Sequence, residues 1–212
     1  MKIPAHDSEF WNARYGGADY FYGTAPNGFL ASVAARIPAG PVLCLAEGEG
    51  RNAVFVAGRG HAVTAVDQSS AGLAKAETLA RSRGVPLTAV VADLADFEIK
   101  PQAWSGIVAI FMHLPPALRG SVLARAAAGL RPGGVFVMEA YTPAQLAHDT
   151  GGPRDVALLP TLAALQAELG NLEWLVAREL ERDVSEGGGH TGIASVVQVL
   201  ARRPAVTRVA TR

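Results

Sequence analysis

Val42-Leu43-Cys44-Leu45-Ala46-Glu47-Gly48-Glu49-Gly50-Arg51-Asn52 is the stretch from which the rest of the chain is read. Its apolar opening follows Pro38-Ala39-Gly40-Pro41, so residues 42–46 read as a short buried strand. Gly48 and Gly50 then bend the chain toward a helix. Glycines at this spacing let the backbone pass close to a ligand, with a helix N-terminus just beyond. With Ala53 the stretch also spells G-x-G-x-x-A, a loose dinucleotide fingerprint. Short glycine turns of this kind also arise for purely steric reasons, so the flanking charges decide. Glu47 and Glu49 crowd the bend with negative charge, a poor setting for a diphosphate and a good one for a cationic ligand.

Working outward, residues 61–66, 87–91, 106–112 and 135–140 are further apolar runs without polar alternation. Such strands suit a parallel sheet covered on both faces. Between them, Leu118, Val122, Leu123, Ala126 and Leu130 recur at helical steps, and Leu73, Ala76 and Ala80 do so more weakly. After Thr142 the texture changes. A Gly151-Gly152-Pro153 loop leads to a helix with Leu158, Leu162, Leu165 and Leu169 in register. Residues 172–184 and 192–201 then read as two long strands joined through Ser185-Glu186-Gly187-Gly188-Gly189-His190. The expected fold is α/β: a Rossmann-like, doubly wound, mostly parallel seven-stranded sheet with a C-terminal antiparallel hairpin and helices on both faces. Residues 1–212 read as a single domain, with 1–30 as an aromatic cap and 203–212 as a flexible tail.

Composition narrows the function classes. Nineteen basic and nineteen acidic residues cancel, which argues against a nucleic-acid footprint. Cys44 is the sole cysteine, so neither a disulfide within the chain nor a cysteine-rich zinc site is available. No carboxylate-rich calcium loop or His-x-x-x-His is present, and no metal is expected. The apolar run at 107–112 is far short of the roughly 20 residues that cross a bilayer. The first residues lack the apolar run of a secretory signal, so a cytoplasmic protein is expected.

Two further carboxylates end apolar runs on the same edge of the expected sheet. Asp67 can accept from both hydroxyls of a ribose, or cap the next helix together with Ser69 and Ser70. Asp93 can accept from an adenine amino group, or simply start a loop. An adenosine ligand with a positive charge and no phosphate fits this edge, and S-adenosylmethionine is such a ligand.

The segment Gly129-Leu130-Arg131-Pro132-Gly133-Gly134-Val135 carries the most specific likeness. With Ala46 to Asn52 and Val66-Asp67, it resembles the class I S-adenosylmethionine-dependent methyltransferases, and within them the tellurite-resistance branch. Cys44 and Ala46 depart from the family's strand-end acid and first loop glycine. The resemblance implies a single methyltransferase domain. It implies that Gly48 and Gly50 line the methionine end, Asp67 holds the ribose and Asp93 the adenine. Gln68 and Leu94 would flank the adenine ring, Phe111 would lie near the methyl group, and Glu47 would supply the carboxylate missing at Cys44. Tyr22 and Asn52 complete the implied cofactor set.

Seven of the fourteen aromatic residues fall in the first twenty-nine positions. They read as a cap over the crevice, with Tyr22, Gly23 and Asn27 touching the ligand, or as a helix packed on the sheet edge. His113 follows the fourth strand and is a candidate base, and Tyr141 could orient a substrate. Both also have an ordinary structural reading. The resemblance to the tellurite-type branch implies a substrate-side role for His190 in the late hairpin and makes it a second candidate base. Thr191 stands where the tellurite-type pattern often has Arg, which weakens an oxyanion reading. Ile110-Phe111-Met112-His113 replaces the Asn/Asp-Pro-Pro-aromatic signature of amino-group methylation. The expected partner is a small molecule, a thiol or chalcogen oxyanion, with no nucleic acid and no membrane, and the protein is a monomer or a homodimer. The alternatives are an NAD-linked oxidoreductase and a non-catalytic cofactor-binding protein.

Overall fold

The computed structural model describes residues 7–205. Helices α1 (Ser8–Tyr15) and α2 (Gly28–Val33) precede β1 (Pro41–Leu45), α3 (Arg51–Ala57), β2 (Ala62–Asp67), α4 (Ser70–Ser82), β3 (Thr88–Val91) and β4 (Trp104–Ile110). Then come α5 (Pro116–Gly129), β5 (Leu130–Tyr141), α6 (Leu162–Leu169), β6 (Glu173–Glu186) and β7 (His190–Arg202). The seven strands form one sheet in the order β3-β2-β1-β4-β5-β7-β6. Strands β1 to β5 are mutually parallel, while β7 runs antiparallel to both β5 and β6. The winding reverses between β1 and β4, which opens a crevice at their C-terminal ends.

Each central strand buries both faces, as its unbroken apolar run requires. Leu43 and Leu45 pack with Ile107, Phe136, Met138, Val122, Leu123 and Leu165 beneath α5 and α6. Val42 and Cys44 pack with Val108, Val137, Leu30, Ala53, Val56 and Leu73 beneath α2, α3 and α4. Cys44 is thus a core residue on the opposite face from Leu43.

Some boundaries differ from the sequence reading, each for a local reason. Met112 lies beyond β4 because Phe111 turns the chain with φ 53. Leu158 ends a short 3-10 turn, and α6 starts only at Leu162, where the Thr161 hydroxyl caps Ala164 N–H. Leu130 already belongs to β5: it pairs with Trp104, and Gly106 pairs with Val135, so Pro132-Gly133-Gly134 bulges out of the strand. A Cβ on Gly134 would fall 2.8 Å from the Trp104 carbonyl oxygen. Arg203, expected in a flexible tail, is anchored there: Gly133 N–H donates to its carbonyl (2.9 Å) and its guanidinium to the Leu130 carbonyl (2.7 Å). Residues 206–212 of that expected tail lie outside the described residues. Among the described residues, no helix is long and apolar enough to cross a membrane, and no cluster of His, Cys, Asp or Glu is placed to hold a metal.

Candidate active site

Beyond β1 the backbone kinks at Ala46, whose φ of 50 is a conformation that usually favours glycine. The bend is laid against the end of β2: Glu47 N–H donates to the Val66 carbonyl (3.2 Å) and Gly48 N–H to Asp67 Oδ2 (2.8 Å). Asp67 Oδ1 accepts from Ser69 N–H (2.8 Å). Burial raises the Asp67 carboxyl, and the amides of Ser69, Gly48 and Gln68 oppose that rise. The cap of α4 is Ser69, whose hydroxyl accepts from Gly72 N–H, so Asp67 is left to face the crevice.

Glu47 Oε1 accepts from Asn52 N–H (2.9 Å) and Ala53 N–H (2.7 Å). These are first-turn amides of α3, the donors a dinucleotide site turns toward its diphosphate. The protein's own carboxylate already holds them. That disfavours the NAD reading despite the G-x-G-x-x-A spelling. Glu49, nearly buried, pairs with Lys75 (2.7 Å) and accepts from Tyr22 N–H (3.3 Å).

A cavity of about 490 Å³ opens over this bend. On one side it is walled by Glu47, Asn52, Asp67, Gln68, Asp93 and Leu94. On another, Phe111, His113 and Tyr141 come together with Leu114, Leu118, Leu158 and the Gly151-Gly152-Pro153 loop. The His113 and Tyr141 rings stack at 5.6 Å and 12°, and Phe111 lies 4.7 Å from Tyr141. The third wall is the N-terminal segment, including Trp11, Arg14, Tyr15 and Tyr22. Helix α1 docks on the start of α4, where Asn12 Oδ1 accepts from the Ser69 hydroxyl (2.8 Å) and Ala71 N–H (3.1 Å).

His113 Nδ1 lies 3.1 Å from the Leu158 carbonyl oxygen. A carbonyl only accepts, so Nδ1 carries the hydrogen and Nε2 keeps its lone pair. Nε2 is buried with no protein partner. Burial pushes the imidazole down to about 4, aided by nearby Arg119, so it stays neutral at pH 7. The Tyr141 phenol is pushed above its usual range, chiefly by burial, and remains protonated.

The placement of Gly48, Gly50 and Asn27 departs from the sequence reading. Gly48 and Gly50 do not line the cavity: their open sides face the Tyr15 hydroxyl and helix α4. Asn27 does not touch it either. Its side chain caps α2 and donates to Glu139 (2.7 Å) and Glu186 (2.9 Å). His190 opens β7, and its side chain lies outside what the structure describes. Sequence reasoning also missed a buried polar network. Glu139, fully buried on β5, accepts from Asn27, Gln198 and Arg182, and Glu186 joins Arg182 (2.9 Å) to Arg51 (2.6 Å). Its members are far apart in the chain, and only the fully apolar company of Glu139 in residues 135–141 hinted at it.

Residues 42–134 match the methyltransferase domain family. Over this stretch, from β1 to the bulge of β5, the chain is similar to methyltransferase domains. No curated protein matches its sequence. Similar solved structures include one from the conversion of a disulfide bond into a thioacetal group during echinomycin biosynthesis, 20% identical, TM-score 0.72, covering 96% of this chain and 95% of that one. TehB from Haemophilus influenzae is 19% identical with TM-score 0.69, over 92% of this chain and 66% of that one. An S-adenosylmethionine-dependent methyltransferase from Clostridium acetobutylicum is 15% identical with TM-score 0.63, over 89% and 94%. At such identities these likenesses establish the fold, a seven-stranded Rossmann-like sheet.

Proposed function

We propose that the protein is an S-adenosylmethionine-dependent methyltransferase acting on a small neutral acceptor, a thiol in the first instance, with His113 as the group that receives its proton. The observation that carries the reading is the His113 Nε2 lone pair, buried in an apolar wall beside Phe111, Leu114 and Leu158. Such a wall welcomes a soft, uncharged group and offers the imidazole nitrogen as a basic acceptor for its hydrogen. A chalcogen oxyanion has less support: of the two arginines lining the cavity, Arg51 is committed to Glu186 and Arg14 lies in the N-terminal wall, apart from His113, where it is assigned below to the donor. One of the similar structures comes from sulfur chemistry, the thioacetal conversion, which agrees with a sulfur acceptor.

S-adenosylmethionine supplies an already activated methyl group on a sulfonium. The acidic wall suits that cation, and Asp67, Asp93, Glu47, Asn52, Gln68, Leu94, Phe111 and Tyr22 are the residues we assign to hold it. Their task is orientation and exclusion of water, since little covalent chemistry is asked of the protein. As the acceptor S–H gives way to an S–CH3 bond, its proton passes to His113 Nε2. Imidazolium is favoured at that moment because the donor's positive charge has just disappeared from the cavity.

The test joins calorimetry to turnover. S-adenosylmethionine and its demethylated product should both bind, and Asp67→Ala should weaken both by about tenfold or more. His113→Phe should lower kcat with a thiol panel by about 10²- to 10⁴-fold while donor affinity stays unchanged. A His113→Phe protein that turns over normally would remove the assigned base. Turnover with tellurite or selenite in place of thiols would move the acceptor class.

A further inference from the structure

We infer that Arg14 is the anion receptor of the cavity and takes the carboxylate at the methionyl end of the donor, an inference that rests on the donor assignment above. The cavity is lined by five carboxylate residues, Asp7, Glu47, Glu49, Asp67 and Asp93, and by two arginines. A donor carboxylate among these acids meets like charge on most sides, so a cation must offset it. Arg51 is already held by Glu186 at 2.6 Å. Arg14 pairs with no carboxylate of the described residues. Its guanidinium is instead seated among rings, 4.8 Å from the centroid of Phe10, 5.7 Å from Trp11 and 4.9 Å from Phe21. Aromatic faces hold the plane of a guanidinium, and although Arg14 also hydrogen-bonds the Tyr22 side chain, its further N–H groups can meet a planar anion, which a carboxylate matches in two-point fashion. The same helix carries Trp11 and Tyr15 into the cavity wall, so the cation arrives with the cap that closes over the ligand.

An anion on the acceptor would offer the same chemistry, and the experiment separates the two sources. Calorimetry compares S-adenosylmethionine with its decarboxylated analogue, which differs only in the missing carboxylate, against wild type, Arg14→Met and Arg14→Lys. Wild type should prefer the intact donor by about tenfold or more. Arg14→Met should lose that preference while binding the decarboxylated compound at least as well as the parent does. Arg14→Lys, which keeps the charge and loses the fork, should fall between them. Arg14 is exposed, so the unfolding midpoint of the ligand-free variant should match the parent and certify its fold. An Arg14→Met protein that keeps the full preference overturns the inference and leaves the donor assignment standing; so does one altered only in KM for the acceptor. If wild type binds neither compound, the donor assignment falls and the inference falls with it.

Discussion

Glu47 shows how one side chain in this site is asked to satisfy two demands. One oxygen caps α3, and the residue also faces the cavity with only 8% of its surface exposed. Burial pushes its carboxyl up to about 7, against the opposing amides of Ala53 and Asn52 and the charge of Arg51, with Asp67 adding to the rise. The unfolded chain ionises this group in the ordinary carboxylate range, so its contribution to stability is complete below that range and declines as pH rises to about 7. A cationic donor works in the other direction, since it favours the ionised form. S-adenosylmethionine should therefore bind more tightly at pH 8 than at pH 6 and release a proton near pH 6.5–7. Calorimetry in buffers of different ionisation enthalpy detects that proton, and Glu47→Gln should abolish both effects. Asp67 and Asp93 were legible in the sequence because each ends an apolar run, and the structure places both in the cavity wall. The direction in which a glycine points was not legible. Gly48 looked ligand-facing from its spacing, yet its open side meets Tyr15, a residue 33 positions earlier that only the fold brings there.

At the scale of elements, the bend between β1 and α3 is held by packing more than by any ligand. Gly50 has φ 89, and a Cβ placed there would fall 2.6 Å from Ala76 Cα in α4. Gly50→Ala thus forces a left-handed alanine into helix backbone that cannot yield cheaply. It should cost roughly 2–4 kcal/mol, read as a shift of the urea midpoint with an unchanged slope. A loss below about 0.5 kcal/mol would mean that α4 moves freely, contrary to the packing of Ala76 in the core. The strands themselves were readable, because uniform apolarity and β-branching leave little choice in a two-faced sheet. Their ends were not. Arg131-Pro132-Gly133-Gly134 spells a turn in isolation, but Trp104 captures Leu130 first and makes the turn a bulge within β5. Here tertiary pairing overrides local turn chemistry.

Across the whole molecule, the N-terminal cap and the tip of the late hairpin are brought to the same place. The hairpin tip meets the aromatic cap directly, where Gly188 N–H donates to the Phe21 carbonyl (3.1 Å). A Cβ on Gly189 would fall 2.6 Å from the Tyr22 ring, so the triple-glycine turn admits those rings only because it lacks side chains. Beneath this contact Glu139 ties Asn27 before α2, Arg182 on β6 and Gln198 on β7 into one buried network. Apart from Arg182–Glu186, four residues apart, its links span 43 to 159 residues of chain, beyond the reach of a short-range pattern. Breaking a buried pair by removing one partner leaves the other charge without compensation, which is the costly case. Glu139→Ala strands Arg182 in part, although Glu186 still accepts from it at 2.9 Å. The variant should lose about 3–5 kcal/mol of stability, and Glu139→Gln, which keeps an acceptor for Asn27, should lose less. Donor at 100-fold over its Kd adds about 2.7 kcal/mol to wild type and the same to a variant that binds equally well, so ligand should leave the gap between Glu139→Ala and wild type unchanged, and widen it if the variant binds more weakly. Chemical denaturation with and without S-adenosylmethionine reads both quantities. Equal midpoints for Glu139→Ala and wild type would show that the cap and hairpin are held by their backbone contact alone.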